Sequence, residues 1–301
     1  MNKKIAFYIM NSKGYFVLKK FIKEFGVKNI GYVVSGNDSN IKKDYFDEIQ
    51  KLSLKHKIKF FNRFDDFLSL ENNFKGNKFA IGWRWLIKNE LNLIVFHDSL
   101  LPKYRGFAPL VNTFINGDKM GGVTALFASN QYDRGGIISQ KKFEISYPIK
   151  IEDLIKQAQP LYYDLVKDIS IKILNGEQLE TRKQNDAEAT YSLWLDNEDY
   201  FVDWSWSAKK IKRFVDAVSY PYNNAKAYLN GDVVKFVDVE VFKDVQVEHR
   251  DRHIGKVIFI ENGSPVVVCR KGLLRLIDIR DKDDNKMMIN FRSRFKGYKN
   301  V

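Results

Sequence analysis

Apolar runs alternate with amphipathic stretches along the first half of the chain. The runs are continuous, which is typical of strands that are buried on both faces of a parallel sheet. The stretches between them repeat apolar residues at the spacing of helices. The predicted strands lie at 4–10, 29–36, 58–61, 78–83, 91–96 and 122–129, and the predicted helices at 14–25, 41–54 and 107–116. This order predicts an α/β fold with a mainly parallel sheet and flanking helices.

A long helix and a polar stretch follow. Residues 151–175 carry an apolar face that predicts one helix, with a kink at Pro160 and an end at Gly176. The polar, aperiodic residues 175–190 are interpreted as a linker. We therefore predict two domains, which comprise residues 1–185 and residues 190–301.

The second predicted domain is rich in short strands. Ser207 is a candidate N-cap for a helix that precedes them. Turns that contain Asn-Gly separate several of the strands. The predicted strands lie at 226–229, 233–241, 255–260, 265–269 and 273–279. Such regular spacing indicates a small β-barrel.

Composition excludes some classes of protein. The 301-residue chain has one cysteine, Cys269, so no disulfide can form within it, and a reducing, cytoplasmic location is the simplest expectation. No apolar run reaches eighteen residues, so we expect no membrane partner. The formal net charge is +13, but the lysines are scattered, which a solvated surface explains more simply than a phosphate-bearing partner. No convincing metal-ligand spacing is present, so we expect no metal.

Candidate chemistry begins where one buried run stops. The stretch 95–110 reads VFHDSLLPKYRGFAPL, and His97 directly follows the apolar run. Ligands bind at the carboxyl ends of parallel strands, and an imidazole there can transfer protons near neutral pH. Asp133 precedes a flexible Gly-Gly turn after another predicted strand, so it can orient His97. From the residues alone, His97 as a structural hydrogen-bonding residue and Asp133 as a turn cap stay open.

Together, these segments resemble the folate-dependent formyltransferases. The family pattern runs strand, N-x-H-x-S-L-L-P-x-x-R-G-x-x-P, helix, G-x-T, strand, D-x-G. The chain has HDSLLPKYRGFAP (97–109), INGDKMGGVTALF (115–127) and YDRGGIISQ (132–140) in that order. GWRWLI (82–87) is similar to the loop that lines the folate pocket in the family. EDYFVDWSWSAKKIKRFVDAVSYPYNNA (198–225) is similar to the start of the C-terminal domain in longer members, so the resemblance covers nearly the whole chain.

The resemblance implies a fold and a reaction. It implies a Rossmann-like catalytic domain, a C-terminal barrel of the OB type, and formyl transfer from N10-formyltetrahydrofolate to a primary amine without a metal. His97 and Asp133 are then the catalytic pair. His97 would stabilise the oxyanion or carry the amine proton, and Asp133 would orient His97. Such proton transfer typically contributes ~10²–10⁴-fold.

The resemblance also implies binding residues. The folate would lie against the loop 82–87, with Trp83, Leu86 and Ile87 closest to the pterin. The amine substrate would lie at the turn that follows His97, where Lys103 and Arg105 either shape the turn or meet a phosphate. The expected folate residues are Trp83, Arg84, Trp85, Leu86 and Ile87, and the expected substrate residues are Ser99, Lys103, Arg105 and Gly106.

One position departs from the family pattern. The family has Asn two residues before the histidine, where it donates to the developing oxyanion, whereas this chain has Val95. Losing such a donor typically costs ~10²–10³ in rate. Either another donor replaces it (a backbone N–H of the 99–106 turn or a water), or the geometry differs, or activity is weak or absent. The first two readings are favoured because His97, Asp133 and the turn are intact.

Two short stretches bear on the amine acceptor. MNSKGYF (10–16) lacks the Thr-Pro of methionyl-tRNA formyltransferases, and Asp98 with Phe107 is more similar to amino-sugar N-formyltransferases, including those that serve sugars of the pseudaminic-acid type. We therefore expect a nucleotide-linked amino sugar for surface glycans, no nucleic-acid partner, and a homodimer as a further possibility. Two alternatives are a methionyl-tRNA formyltransferase and a non-catalytic folate- or sugar-binding relative.

Overall fold

A computed structural model describes residues 3–298 of the chain, so the first two and the last three residues, which include the outer ends of both predicted domains, lie outside the described residues. The strands are β1 (Ile5–Ile9), β2 (Ile30–Ser35), β3 (Phe60–Asn62), β4 (Asn77–Ile81), β5 (Leu93–His97), β6 (Arg105–Gly106), β7 (Met120–Phe127), β8 (Ile137–Glu144), β9 (Tyr191–Ser192), β10 (Ala225–Leu229), β11 (Asp232–Phe242), β12 (Val257–Glu261), β13 (Ser264–Val268), β14 (Leu273–Arg280) and β15 (Phe295–Lys296). The helices are α1 (Asn11–Phe25), α2 (Phe46–Lys55), α3 (Leu68–Asn73), α4 (Pro109–Asn116), α5 (Ile151–Asn175), α6 (Ala208–Ala217) and α7 (Arg250–His253).

The central sheet is dominated by parallel strands, as the sequence predicts. Its order is β3-β2-β1-β4-β5-β7-β8, and the five strands from β3 to β5 run parallel. Phe7 and Phe79 pack on one face with apolar residues of α1 and α5, while Tyr8 and Tyr32 pack on the other face. Burial on both faces explains why these strands read as continuous apolar runs.

The last two strands of this sheet run differently. β7 is antiparallel to β5, with Thr124 opposite His97, and β8 is antiparallel to β7. β7 ends beside the start of β5, where the Ala128 N–H donates to the Leu93 carbonyl at 2.9 Å. The loop 128–136 begins there, and its Asp133 reaches back to His97 at the carboxyl end of β5. The apolar run at 122–129 reveals a strand but not its direction.

One predicted helix begins later than its apolar pattern suggests. A helix is predicted from residue 41, but α2 begins at Phe46. Tyr45 adopts a left-handed conformation (φ 64°), which cannot continue a helix, and the Asp44 carboxylate accepts from the Phe46 N–H at 3.0 Å. The long helix is predicted correctly, since α5 spans Ile151–Asn175.

The C-terminal strands form a curled antiparallel sheet with the order β12-β13-β14-β11-β10-β15. One outer strand, β15, meets the segment just before the other, β12, where the Phe295 N–H donates to the Gly255 carbonyl at 2.8 Å. Gly255 has φ 82°, and a Cβ there would lie 2.3 Å from the Phe295 carbonyl oxygen, so glycine is required. The buried Trp204 ring stacks on Phe295 inside this sheet. The prediction of a small β-barrel is confirmed, and Ser207 caps α6 as expected.

The chain divides into two compact units. The first comprises residues 1–110, 119–145 and 153–193, and the second comprises 111–118, 146–152 and 194–301. The stretch 175–190, interpreted as a linker, therefore belongs to the first unit. Within residues 3–298, no helix has the length and apolar character that a bilayer span requires.

Cys269 provides a test of the second unit. Its side chain is fully buried, and burial raises the pKa of the thiol to about 12. At pH 8 the thiolate, which is the reactive form, is then roughly one part in 10⁴ of the native protein. We expect the native protein to resist a disulfide reagent for hours and to react at one thiol per chain after unfolding in guanidinium. Rapid labelling of the native protein would contradict this packing.

Candidate active site

His97 lies at the carboxyl end of β5, at the edge of the central sheet where ligands bind in α/β folds. β4 pairs with β5 in parallel, and Ile81 lies opposite Phe96. The loop 82–87 therefore leaves β4 beside His97. The sheet thus brings the motif histidine and the predicted folate loop together.

Both nitrogens of the buried His97 imidazole face protein oxygens. Nε2 lies 2.7 Å from the Tyr104 carbonyl oxygen, and Nδ1 lies 3.6 Å from Oδ1 of Asp133. A carbonyl oxygen can only accept, so Nε2 carries a hydrogen and donates it to Tyr104. Nδ1 is then the nitrogen that is left to exchange a proton, and it faces a carboxylate. The 3.6 Å separation is too long for a direct hydrogen bond.

Asp133 joins the imidazole to the turn that follows it. Its other oxygen, Oδ2, accepts from the Gly106 N–H at 2.8 Å. Asp133 has φ 54°, a left-handed conformation that costs free energy for a residue with a side chain. The structure therefore brings together His97, Asp133 and Gly106, three residues that the sequence selects.

Ser99 and Lys103 occupy different environments in this turn. Ser99 is buried, and its hydroxyl donates to the Lys103 carbonyl at 2.7 Å. Thr124 of β7 supports the same turn, since its hydroxyl donates to the Ser99 carbonyl at 2.6 Å. The Lys103 side chain is exposed. Ser99 therefore shapes the turn, and Lys103 is the cation that can reach a ligand.

Arg105 is buried, with 1% of its surface exposed. Its Nε and Nη2 donate to Oε1 of Gln184 at 3.0 and 2.9 Å, and Nη1 lies 2.8 Å from Oδ1 of Asp186. Of the two roles expected from the sequence, these contacts support the shaping of the turn and oppose a phosphate contact.

The sequence does not reveal the residues that Arg105 binds. Segment 182–192, here called the strap, lies against the turn and against the loop 128–136. The Thr190 hydroxyl accepts from the Tyr104 N–H at 2.8 Å, and β9 of the strap pairs with β6. The polar side chains of the strap bind backbone groups and arginine side chains of these segments instead of packing in a core.

A second polar cluster, which the sequence does not reveal either, forms around Asp98, the residue that follows His97. Asp98 points to the opposite face of β5, where it accepts from the Tyr162 hydroxyl at 2.5 Å and forms an ion pair with Lys13. Lys13 belongs to α1 and Tyr162 to α5. Both helices are thereby tied to the residue that follows the histidine.

The loop 82–87 has an apolar inner side and a charged outer side. The Trp83 ring packs against Tyr8 and Trp85, at centroid distances of 5.4 and 5.2 Å. Its indole N–H is buried and has no hydrogen-bond partner within residues 3–298. Ile87 is buried in the core, while Leu86 is 72% exposed. Arg84 forms an ion pair with Asp38.

Val95 has the environment of an apolar residue. It lies two positions before His97 on the same face of β5 and packs against Leu101, Leu126 and Ile137. The turn offers little replacement for a missing donor, because most of its backbone N–H groups already donate within the protein. These committed groups belong to Ser99, Leu101, Lys103, Tyr104, Arg105, Gly106 and Phe107.

Family models match both parts of the chain. The model described as Formyl transferase matches residues 81–166, and the model described as Formyl transferase, C-terminal domain, matches residues 195–298. The methionyl-tRNA formyltransferase of Clostridium tetani is 27% identical over 290 residues, which cover 90% of each chain. With several other methionyl-tRNA formyltransferases the match is shorter, and the chain spans 55–66% of their length.

Two solved structures share the fold over most of their length. WlaRD, a sugar 3N-formyl transferase crystallised in the presence of dTDP and 5-N-formyl-THF, matches with a TM-score of 0.69 and 20% identity over 91% of this chain and 96% of that chain. The N-formyltransferase from Helicobacter canadensis, in complex with folinic acid and dTDP-3-aminofucose, matches with a TM-score of 0.68 and 18% identity. This match covers 91% of this chain and 98% of that chain. The two family models include the whole motif from the folate-type loop to Asp133 and the C-terminal barrel, and the chain therefore belongs to the formyltransferase family.

Proposed function

We propose that this protein transfers a formyl group from N10-formyltetrahydrofolate to the primary amine of a nucleotide-linked amino sugar in the cytoplasm. The observation that carries the proposal is the pairing of His97 Nδ1 with the Asp133 carboxylate at the end of β5, beside the loop 82–87. The two sugar N-formyltransferase structures, crystallised with folates and with dTDP or a dTDP-amino sugar, support the choice of donor and acceptor.

The pair of side chains suits the proton transfers of this reaction. The acceptor nitrogen bonds to the formyl carbon and must lose a proton, and the bond from that carbon to the donor nitrogen breaks as that nitrogen gains one. Nε2 of His97 is fixed by the Tyr104 carbonyl, so Nδ1 is the atom that takes up and returns the proton. The Asp133 carboxylate faces Nδ1 and stabilises the positive charge while the proton is held there.

The loop 82–87 suits a pterin. A pterin has an apolar face and a polar edge, and binding sites of this kind combine apolar walls with a few placed polar groups. The half-buried Trp83 supplies a ring and an indole N–H that has no hydrogen-bond partner among residues 3–298. The exposed Leu86 is available to cover a ligand, whereas Ile87 supports the wall from the core. Trp83 and Leu86 are thus proposed to contact the donor directly.

Exposed groups beside Asp133 suit a nucleotide. Tyr132 is 59% exposed, and its ring lies 6.0 Å from that of Phe107. These aromatic residues flank the hydrogen bond between Gly106 and Asp133, so they border the reacting amine. The exposed Lys103 lies in the same turn and can meet a diphosphate. A base that stacks on an aromatic ring and a phosphate that meets a lysine are the two recognisable parts of a nucleotide.

A methionyl-tRNA formyltransferase is the second candidate. It is favoured by the relative from Clostridium tetani, which matches along 90% of both chains. The net charge of +13 is also compatible with a tRNA.

A direct assay separates the candidates. The purified protein is incubated with N10-formyltetrahydrofolate and either a panel of nucleotide-linked 3-amino and 4-amino deoxysugars or methionyl initiator tRNA, and products are identified by mass. We expect formylation of an amino sugar. Formylation of the tRNA alone would establish the second candidate, and no formylation of any acceptor would leave a binding protein.

The catalytic pair is tested by substitution. We expect His97→Asn and Asp133→Asn each to lower kcat by at least ~10²-fold, because one removes the proton carrier and the other its counter-charge. The double variant should be little worse than the worse single variant, since the residues act as a unit. The matched control is His249→Asn at an exposed histidine, which should leave turnover unchanged. Wild-type turnover in His97→Asn would refute this assignment.

Val95 tests how the oxyanion is stabilised. Because the neighbouring backbone donors are committed, we expect Val95→Asn to raise kcat by ~10-fold or more. It should also lower the free energy of unfolding, since a polar amide replaces the isopropyl group of valine among apolar neighbours. Val95→Leu, which adds no donor, is the control and should bring no gain. An unchanged or lower kcat in Val95→Asn would show that another group already serves the oxyanion.

The nucleotide contact is tested at Tyr132. Loss of a stacked base typically costs ~1–3 kcal/mol, so Tyr132→Ala should raise KM for the nucleotide sugar ~10-fold with little change in kcat. Tyr132→Phe keeps the ring and should behave as wild type. Tyr298→Ala, at an exposed tyrosine of the second unit, is the control. If KM does not change in Tyr132→Ala, the base binds elsewhere.

A further inference from the structure

The Gln184 side chain joins the two segments that carry the catalytic pair. It is 6% exposed. Its Oε1 accepts two hydrogen bonds from Arg105, at 3.0 and 2.9 Å. Its Nε2 donates to the carbonyl oxygens of Asp133 and Gly135, at 2.7 and 2.9 Å. These four bonds use the full capacity of a side-chain amide, which has two N–H donors and two acceptor lone pairs.

The rest of the strap reinforces the same connection. Asp186 lies 2.8 Å from Nη1 of Arg105 and 2.9 Å from Nη2 of Arg134, so it bridges the turn and the loop as well. Both guanidinium groups lower the pKa of the Asp186 carboxyl, and Arg105 has the larger effect. Arg182 and Ile137 exchange two backbone hydrogen bonds of 2.9 Å. The strap thereby holds the C-terminal half of the loop that carries Asp133, from Asp133 to Ile137.

Each half of the catalytic pair depends on one side of Gln184. The Tyr104 carbonyl, which fixes His97 Nε2, belongs to the residue that precedes Arg105. The Asp133 carbonyl, which Gln184 holds, belongs to the residue whose carboxylate faces Nδ1. The distance between Nδ1 and the carboxylate therefore depends on two peptide segments that the Gln184 amide joins, beside the direct hydrogen bond from the Gly106 N–H to Asp133.

We propose that Gln184 is a positioning residue for formyl transfer, which holds the Asp133 carboxylate at a working distance from His97. The proposal rests on the proposed function, because it concerns the proton transfers of that reaction. Asp133 has a left-handed backbone conformation, which needs outside support to persist. A misplacement of about 1 Å at such a pair can cost ~10²-fold in rate.

Gln184→Glu separates the two halves of the contact. Glutamate has almost the same size and keeps two acceptors for Arg105, but it has no N–H to donate to Asp133 and Gly135. We expect kcat to fall ~10- to 100-fold, while KM for donor and acceptor stays within ~3-fold, because neither substrate touches this residue. Gln178→Glu is the matched control: it makes the same change at an exposed glutamine six residues earlier and should match wild type.

A double-mutant cycle distinguishes positioning from general damage. If Gln184 acts through Asp133, Gln184→Glu should cost less than about threefold in an Asp133→Asn background, measured in single turnovers at high enzyme concentration. A purely structural effect would cost the same factor in both backgrounds. Circular dichroism and the thermal midpoint check that each variant is folded. If Gln184→Glu does not fold, Gln184→Asn, which keeps the amide but is one methylene too short to span both contacts, takes its place in the cycle.

Two results would overturn the proposal. One is wild-type kcat in a folded Gln184→Glu or Gln184→Asn variant, and the other is an equal loss in both backgrounds of the cycle. Failure of the proposed function looks different, since the wild-type protein itself would then formylate no amino sugar.

Discussion

The buried Arg105 guanidinium is the constraint on which the candidate site depends. An unpaired cation inside a protein is strongly unfavourable, so it requires acceptors from the surrounding chain. Gln184 and Asp186 provide them from the strap. The same Gln184 side chain also donates from Nε2 to the Asp133 carbonyl, so the strap contacts the loop that carries Asp133. Arg105, which the sequence motif suggests as a phosphate ligand, thus has a structural role and joins the turn to the strap.

The same organisation limits what the site can offer a developing negative charge. The turn after His97 is held so fully by internal hydrogen bonds that most of its N–H groups are committed. Val95 adds no donor where the family pattern has one. The N–H of Gly106, for example, holds the Asp133 carboxylate and therefore cannot also donate to an oxyanion. This conflict makes Val95 the most informative position in the site.

The sheet provides the frame for these contacts. Parallel strands direct the loop 82–87 and the turn after His97 to the same edge, where the Asp98 cluster ties β5 to two helices. The antiparallel hairpin of β7 and β8 supplies what parallel strands alone do not. The loop 128–136, which joins these two strands, starts near the beginning of β5 and carries Asp133 back to His97.

The sequence by itself determined most of the alternating strands and helices as far as β7, the long helix over residues 151–175, most strands of the barrel and the motif with His97 and Asp133. These features depend on short-range periodicity, on turn-forming residues and on local motifs, all of which can be read within a window of a few residues. Only the tertiary structure decided the direction of β7, the burial of Arg105 and the role of the strap. Gln184 lies 79 residues from Arg105 along the chain, and Tyr162 lies 64 residues from Asp98. The partner of a polar side chain depends on which distant segment folds against it, and a polar, aperiodic stretch has the same pattern whether it is a solvated linker or is hydrogen-bonded to an active site.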